Sequence, residues 1–220
     1  MSETIQLENE SYLVVRNLPE DLANSLRQDF DKMFDLHPKN RGVVITIDPV
    51  TKLPVDHLCR RWFQSYLNTP KWDPTQNHNS YMFSGVDPEP QPELPYEFHD
   101  VFSYVNNDGK YNQIVANWYQ TGSDYIPFHS DYDYNKVPGT GVVIVNLTKS
   151  DDVVRTFVVK PKKSMIPDAI SHYIPLSHGK IIEMHGNTQQ YYHGVPVVQK
   201  RRRNDSDPGP RISLSFRAFQ

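Results

Sequence analysis

The sequence predicts an α+β chain, with a helical first half leading into a second half of short strands that form a sandwich or barrel. Three observations predict it. Apolar residues in the first half recur at helical spacing. From residue 111 onward about eight strand-like runs follow one another, broken by Gly, Pro, Asn and Asp. Finally, 220 residues that are 37% hydrophobic and 12% aromatic are enough for one domain with a sizeable core.

In chain order, Tyr12 to Val15 reads as a short strand. Pro19 then opens a helix on which Leu22, Leu26, Phe30, Met33 and Phe34 share a face, and Pro38 stops it. The β-branched run at 43–47 is a strand. A second helix is expected over 55–67, with Leu58, Trp62, Tyr66 and Leu67 as its buried stripe. Arg60 and Arg61 fall off that stripe, either solvated or facing a phosphate backbone. Residues 68–95 are rich in Asn, Pro, Asp and Gln and form a long loop, of the kind that often acts as a lid. Within that loop lies Tyr81-Met82-Phe83-Ser84-Gly85. A helix resumes over 96–105 with Phe98, Val101, Phe102 and Val105 on one side. Strands are then expected at 113–119, 142–147, 153–160, 170–176, 180–184, 192–198 and 211–217, with an extended piece carrying His129 and Asp131.

Composition narrows the classes. The first residues, Met1-Ser2-Glu3-Thr4, carry no signal-peptide pattern, and no apolar run is long enough to cross a bilayer. Cys59 is the only cysteine, which excludes an internal disulfide and points to an intracellular setting, in nucleus or cytoplasm. Net charge is -3. Two basic runs stand against it, Lys160-Pro161-Lys162-Lys163 and Lys200-Arg201-Arg202-Arg203. Each suits phosphate contact, the second also a nuclear import signal, and each also suits a solvated loop.

The chemistry starts at His129-Ser130-Asp131. In an extended strand alternate side chains share a face, so His129 and Asp131 can reach one ion. A divalent metal needs a third ligand, for which His193 is the best candidate and His185 another. Two His and one carboxylate on one face of an octahedral ion leave the other face open, which suits non-haem Fe(II). Arg211 to Arg217 alternates throughout, with Ile212, Leu214 and Phe216 on one face. Arg211, Ser213, Ser215 and Arg217 line the other and could hold a dicarboxylate through bidentate guanidinium contacts. Asn117 and Tyr119 likewise share a face and offer donors to a carboxylate or keto oxygen.

These motifs occur in the order Asn-x-Tyr, His-x-Asp, His, Arg-x-Ser-x-Ser-x-Arg. With the Tyr81–Gly85 segment, the Pro138-Gly139 turn and Pro175-Leu176-Ser177-His178-Gly179, they resemble the AlkB family of Fe(II)- and 2-oxoglutarate-dependent dioxygenases from about Tyr81 to Arg217. The resemblance implies a double-stranded β-helix (jelly-roll) core at 111–220. Residues 1–110 would be an N-terminal helical extension and substrate-recognition lid, all in one domain. It implies His129, Asp131 and His193 as iron ligands, which sets His185 aside. Arg211, helped by Tyr119, would hold the far carboxylate of 2-oxoglutarate. Asn117 and Arg217 would contact its chelating end, with Arg217 part of the catalytic set. Ser213 stands where the family usually has Asn. Tyr81, Phe83 and Asp133 would meet the substrate base, whereas His172 and His178 are read as structural.

The implied cofactors are Fe(II), 2-oxoglutarate and O2. The implied reaction is oxidative demethylation of bases such as 1-methyladenine or 3-methylcytosine, releasing formaldehyde, succinate and CO2. The expected partner is alkylated DNA or RNA, met by a monomer away from any membrane. The alternative is the same dioxygenase chemistry on a protein or small-molecule substrate.

Overall fold

Two antiparallel sheets face each other, and helices cover the back of the larger one. The computed structural model describes residues 2–67, 93–131, 136–198 and 207–219. Its strands are β1 (Glu3–Gln6), β2 (Tyr12–Asn17), β3 (Val43–Ile47), β4 (Pro54–Leu58), β5 (Trp62–Leu67), β6 (Gln113–Tyr119) and β7 (Ile126–His129). They continue with β8 (Val142–Thr148), β9 (Arg155–Pro161), β10 (His172–Leu176), β11 (Lys180–His185), β12 (Tyr191–Val195) and β13 (Arg211–Arg217). The helices are α1 (Glu20–Gln28), α2 (Phe30–Asp35) and α3 (His99–Val105). The major sheet has the order β1-β2-β11-β8-β13-β6-β5, the minor sheet β10-β9-β12-β7, and β3 and β4 form a separate hairpin. This is the jelly-roll arrangement that the motifs implied, and its order of neighbours interleaves early and late strands.

The alternation in β6, β8 and β13 explains why these strands are central. Every residue of each is buried, as a strand covered on both faces requires. Ala116 and Trp118, Val145 and Leu147, and Ile212, Leu214 and Phe216 point outward into one apolar cluster. Leu26, Phe30 and Met33 of the first two helices and Phe98, Val101 and Phe102 complete it. The Trp118 indole N–H donates to the Met33 carbonyl at 2.8 Å, tying α2 to the sheet. The helix expected over 19–38 is therefore present but divided at Asp29, and it covers the sheet as its apolar stripe requires. A second cluster, including Leu13, Ile144, Phe157, Ile174, Leu176 and Met184, fills the space between the sheets.

One element differs in kind. The helix expected over 55–67 is two strands, β4 and β5, joined across Cys59-Arg60-Arg61. Trp62 and Tyr66 do share a face, since both pack on the outer cluster. A spacing of four places residues on one face of a helix and, being even, on one face of a strand as well. The aromatic content of Trp62-Phe63-Gln64-Ser65-Tyr66 favours the strand, and pairing with β6 stabilises it there. The major sheet thus takes β1, β2 and β5 from the first 67 residues.

Candidate active site

His193 and His129 are direct cross-strand partners on β12 and β7. Facing residues of an antiparallel pair point to the same side, so both imidazoles enter the space between the sheets. Their ring centroids are 4.5 Å apart. The register shifts immediately after His193, at Gly194. A Cβ there would stand 3.3 Å from the Ile126 carbonyl oxygen, so the close approach of β7 suits glycine. Asp131 lies two residues past the end of β7. Its turn is pinned by Ser130 Oγ, which donates to the Tyr191 carbonyl at 2.7 Å, and by the Gln189 side-chain amide, which donates to the Asp131 carbonyl.

Asp131 Oδ1 lies 4.0 Å from His129 Nε2, and Oδ2 lies 3.8 Å from His193 Nε2. Metal–donor bonds near 2 Å place adjacent donors about 3 Å apart, so the group closes on a cation with shifts of about an ångström. The protonation states suit one. The Pro127 carbonyl sits 2.9 Å from His129 Nδ1, which as the N–H donor leaves Nε2 with a free lone pair. Burial lowers the pKa of both histidines, that of His193 to about 4, so both are neutral at pH 7. Burial would raise the Asp131 carboxyl, but the Arg217 guanidinium, through its charge and its hydrogen bond, outweighs it and keeps the carboxyl ionised. Arg217 Nη2 donates to Asp131 Oδ1 at 2.7 Å. Oδ2, fully buried, has no hydrogen-bond partner among the described residues. A buried carboxylate oxygen left unpaired beside two neutral imidazoles fits a bound divalent metal. Among the described residues this is the sole group of three or more such side chains that could hold one.

Beside this group lies a pocket with about 590 Å³ of empty space, open to solvent. Its lining includes Asn117, Tyr119, Arg211, Ser213, Ser215 and Arg217, so the inner faces of β6 and β13 converge with the metal group as expected. The Arg211 guanidinium lies 3.8 Å over the Tyr119 ring, and Nη1 donates to Asn146 Oδ1 at 3.2 Å. Its Nε and Nη2 have no hydrogen-bond partner among the described residues. A wholly buried cation with two unused donors is costly unless an anion completes it. Ser213 faces Asn117 on one side and Asn146 on the other, so amides flank the short hydroxyl.

Sequence reasoning missed Arg61 and Asn146. Arg61 is neither solvated nor on an outer face. It is 4% exposed, lines the pocket, and its Nε donates to Asn117 Oδ1 at 2.7 Å. The strand parity of β5 carried the signal, because Arg61 continues the face of Phe63, which pairs with Asn117. Read as a helix, that parity is lost. Asn146 sits in an otherwise apolar run, itself a sign of a functional or structural polar contact. His185 lies outside the metal group, stacking on Tyr12 and facing Glu183. His178 takes the Thr148 N–H on Nδ1 and meets the Ala23 carbonyl through Nε2, joining β8 to α1, whereas His172 opens β10. Tyr81, Phe83, Asp133 and the 200–203 run lie outside the described residues.

The comparisons agree with this geometry. The family model described as "2OG-Fe(II) oxygenase superfamily" matches residues 51–217. The chain therefore belongs to the 2OG-Fe(II) oxygenase superfamily, the Fe(II)- and 2-oxoglutarate-dependent dioxygenases, and its likeness within it is to the AlkB family. It is 29% identical to human DNA oxidative demethylase ALKBH2 over 141 residues, covering 63% of this chain and 51% of that protein. It is 29% identical to mouse alpha-ketoglutarate-dependent dioxygenase alkB homolog 3 over 147 residues, covering 62% and 47%. The chain thus spans about half the length of these curated relatives. Among solved structures, OsALKBH1 superposes with a TM-score of 0.51 at 15% identity, over 99% of this chain and 100% of that one. A Trichoplax adhaerens prolyl hydroxylase in complex with a hypoxia inducible factor peptide reaches 0.50 at 8% identity, over 94% and 83%. Both show the fold. No helix among the described residues is long and apolar enough to cross a membrane.

Proposed function

We propose that this protein oxidatively removes alkyl groups from nucleic-acid bases such as 1-methyladenine or 3-methylcytosine in DNA or RNA. The observation that carries the reading is one pocket lined by His129 and His193, whose donors cluster with the adjoining Asp131 carboxylate, and by Arg211, whose guanidinium keeps two donors without partners among the described residues. The similarity to a DNA oxidative demethylase supports the substrate class.

His129, Asp131 and His193 would hold the Fe(II), which with 2-oxoglutarate and O2 supplies an oxidant able to hydroxylate a C–H bond. The residues of the chain set the stage for it. Neutral imidazoles and an ionised carboxylate supply lone pairs without releasing a proton at pH 7. Arg217 holds one oxygen of Asp131, which fixes the carboxylate orientation and leaves the other oxygen for the ion. The free edge of Arg211 would take the far carboxylate of 2-oxoglutarate with two charge-assisted hydrogen bonds, with Tyr119 packed beneath it. Asn117, oriented by Arg61, would present its amide N–H to the other end. The outer apolar cluster holds both strands rigid, so the donors are pre-positioned. The methyl carbon gains a hydroxyl, and the resulting N–CH2OH group expels formaldehyde to leave N–H. One O2 and one 2-oxoglutarate are consumed, with succinate and CO2 formed. A target base must be unpaired or flipped out to reach such a pocket.

The test is aerobic incubation with Fe(II), 2-oxoglutarate, ascorbate and an oligonucleotide carrying 1-methyladenine or 3-methylcytosine, followed by mass spectrometry. Loss of one methylene unit, abolished by His129→Ala, is expected. Succinate with no mass change on any alkylated oligonucleotide would assign the chemistry to a protein or small-molecule substrate instead.

A further inference from the structure

The outward face of the minor sheet, behind the metal group, carries exposed aromatic rings. Alternation along β7 and β12 sends His129 and His193 inward and Phe128 and Tyr192 outward. Phe128 is 42% exposed and Tyr192 40%. On β10, Tyr173 is 69% exposed. Lys160 of β9 lies among all three. It pairs directly with Tyr192, stands 5.8 Å from the Phe128 ring centroid, and is diagonal to Tyr173 across the β9–β10 pair. Lys162 stands 4.8 Å from the Tyr192 ring. The neighbouring Lys163 is committed elsewhere, its ammonium donating to the Pro167 and Ala169 carbonyls at 2.7 Å each.

Charge sorts the same way. The chain carries 26 acidic and 23 basic residues, yet β7, β9, β10 and β12 contain no Asp or Glu. Exposed aromatic rings with ammonium groups between them, on a sheet without acidic residues, complement a chain of phosphates with unpaired bases. Rings stack on bases of any identity, and lysines follow the backbone. A double helix would offer phosphates but no free base faces. A folded acidic protein would not reward three separate rings.

We infer that the outer face of the minor sheet is a binding platform for single-stranded nucleic acid. Phe128, Tyr173 and Tyr192 are its stacking surfaces, and Lys160 and Lys162 its phosphate contacts. The platform deepens the nucleic-acid reading above and rests on it. It would hold a strand by a second contact, independent of sequence, while one base occupies the pocket.

The test is fluorescence anisotropy with a labelled, unmodified single-stranded deoxyoligonucleotide of about 16 nucleotides, across a salt series. Lys160→Ala with Lys162→Ala is expected to weaken binding about tenfold. It should also flatten the slope of log affinity against log salt by about 1.4, from about 0.7 per phosphate contact. Tyr173→Ala, at an exposed position, is expected to weaken binding about tenfold and leave that slope unchanged. Thermal stability and turnover of a methylated trinucleotide, too short to span pocket and platform, should match wild type in both. Absence of wild-type binding, or unchanged binding in both variants, would overturn the inference. So would equal loss for a duplex of the same length, or a dimer in wild type that Tyr173→Ala dissolves while oligonucleotide binding persists. If the variants weaken binding but no alkylated substrate of any length is processed, the platform stands and the dealkylase reading fails. If dealkylation proceeds and binding is unaffected, the platform alone fails.

Discussion

The two faces of β13 differ as sharply as any two regions of this molecule. Outward, Ile212, Leu214 and Phe216 are 0% exposed within an apolar cluster. Inward, Arg211, Ser213, Ser215 and Arg217 are almost as buried, at 1–7% exposure, yet they line an open pocket. One face gains stability by packing. The other gives stability up, since Arg211 keeps two donors without partners among the described residues. The difference shows that burial alone does not mark a core. What marks the site is burial joined to unmet polar capacity.

Substitutions that act on one face only would break or sharpen this contrast. The largest effect is expected from His193→Ala, which removes a metal donor. Turnover of 2-oxoglutarate should fall to background and iron should no longer be retained on gel filtration, while the melting temperature stays close to wild type. A wild-type rate from that variant would remove His193 from the donor set. On the opposite face, Leu214→Ala should cost about 2–5 kcal/mol in denaturant unfolding through loss of packing and a residual cavity. Its folded fraction should retain near-normal kcat, because no side chain of the pocket is touched.

Arg211→Met ranks next. Loss of two charge-assisted hydrogen bonds should raise the KM for 2-oxoglutarate on the order of 100-fold. Stability should hold or rise, since the substitution exchanges a buried, partly unsatisfied cation for a side chain of similar length. A loss of stability as large as that of Leu214→Ala would show that Arg211 belongs to the packing and not to the pocket.

The contrast also explains what could be read from the sequence. Strict alternation made β13 legible to the residue, and the spacing of His129 and Asp131 made the donor pair legible. β6 and β3 follow the same rule, since strands covered on both faces or rich in β-branched residues give a strong local pattern. The segment at 55–67 was not legible, because the four-residue spacing of Trp62 and Tyr66 satisfies helix and strand alike. Its decisive partner, β6, lies about fifty residues away. Arg61 was lost with it. Asn146 was hidden for another reason. Nothing in β8 itself says that its one amide sits opposite Ser213 and in reach of Arg211, since that follows from the order in which strands assemble. Family resemblance supplied the roles of Arg211 and Tyr119; the geometry supplied their contact.

The last effect concerns pH and returns to the two faces. In the metal-free protein, burial holds His193 near a pKa of about 4, while an unfolded histidine titrates near about 6.5. Between those values the unfolded chain binds a proton that the folded chain does not, so stability rises with pH across this window. It is fully present above about pH 6.5 and is lost as pH falls toward 4, with a slope of at most about 1.4 kcal/mol per pH unit for one proton. His129 and His178, both lowered chiefly by burial, act in the same direction. Chelator-treated protein followed by thermal melts from pH 7.5 to 4.5 should therefore lose stability progressively below about pH 6.5. His193→Gln should flatten this curve without abolishing it, and Leu214→Ala should lower the whole curve and leave its shape unchanged. The outward cluster holds no group that titrates in this range. A curve for His193→Gln as steep as wild type would mean that His193 is already accessible to protons in the metal-free protein, and that the inner face opens when no ion holds it.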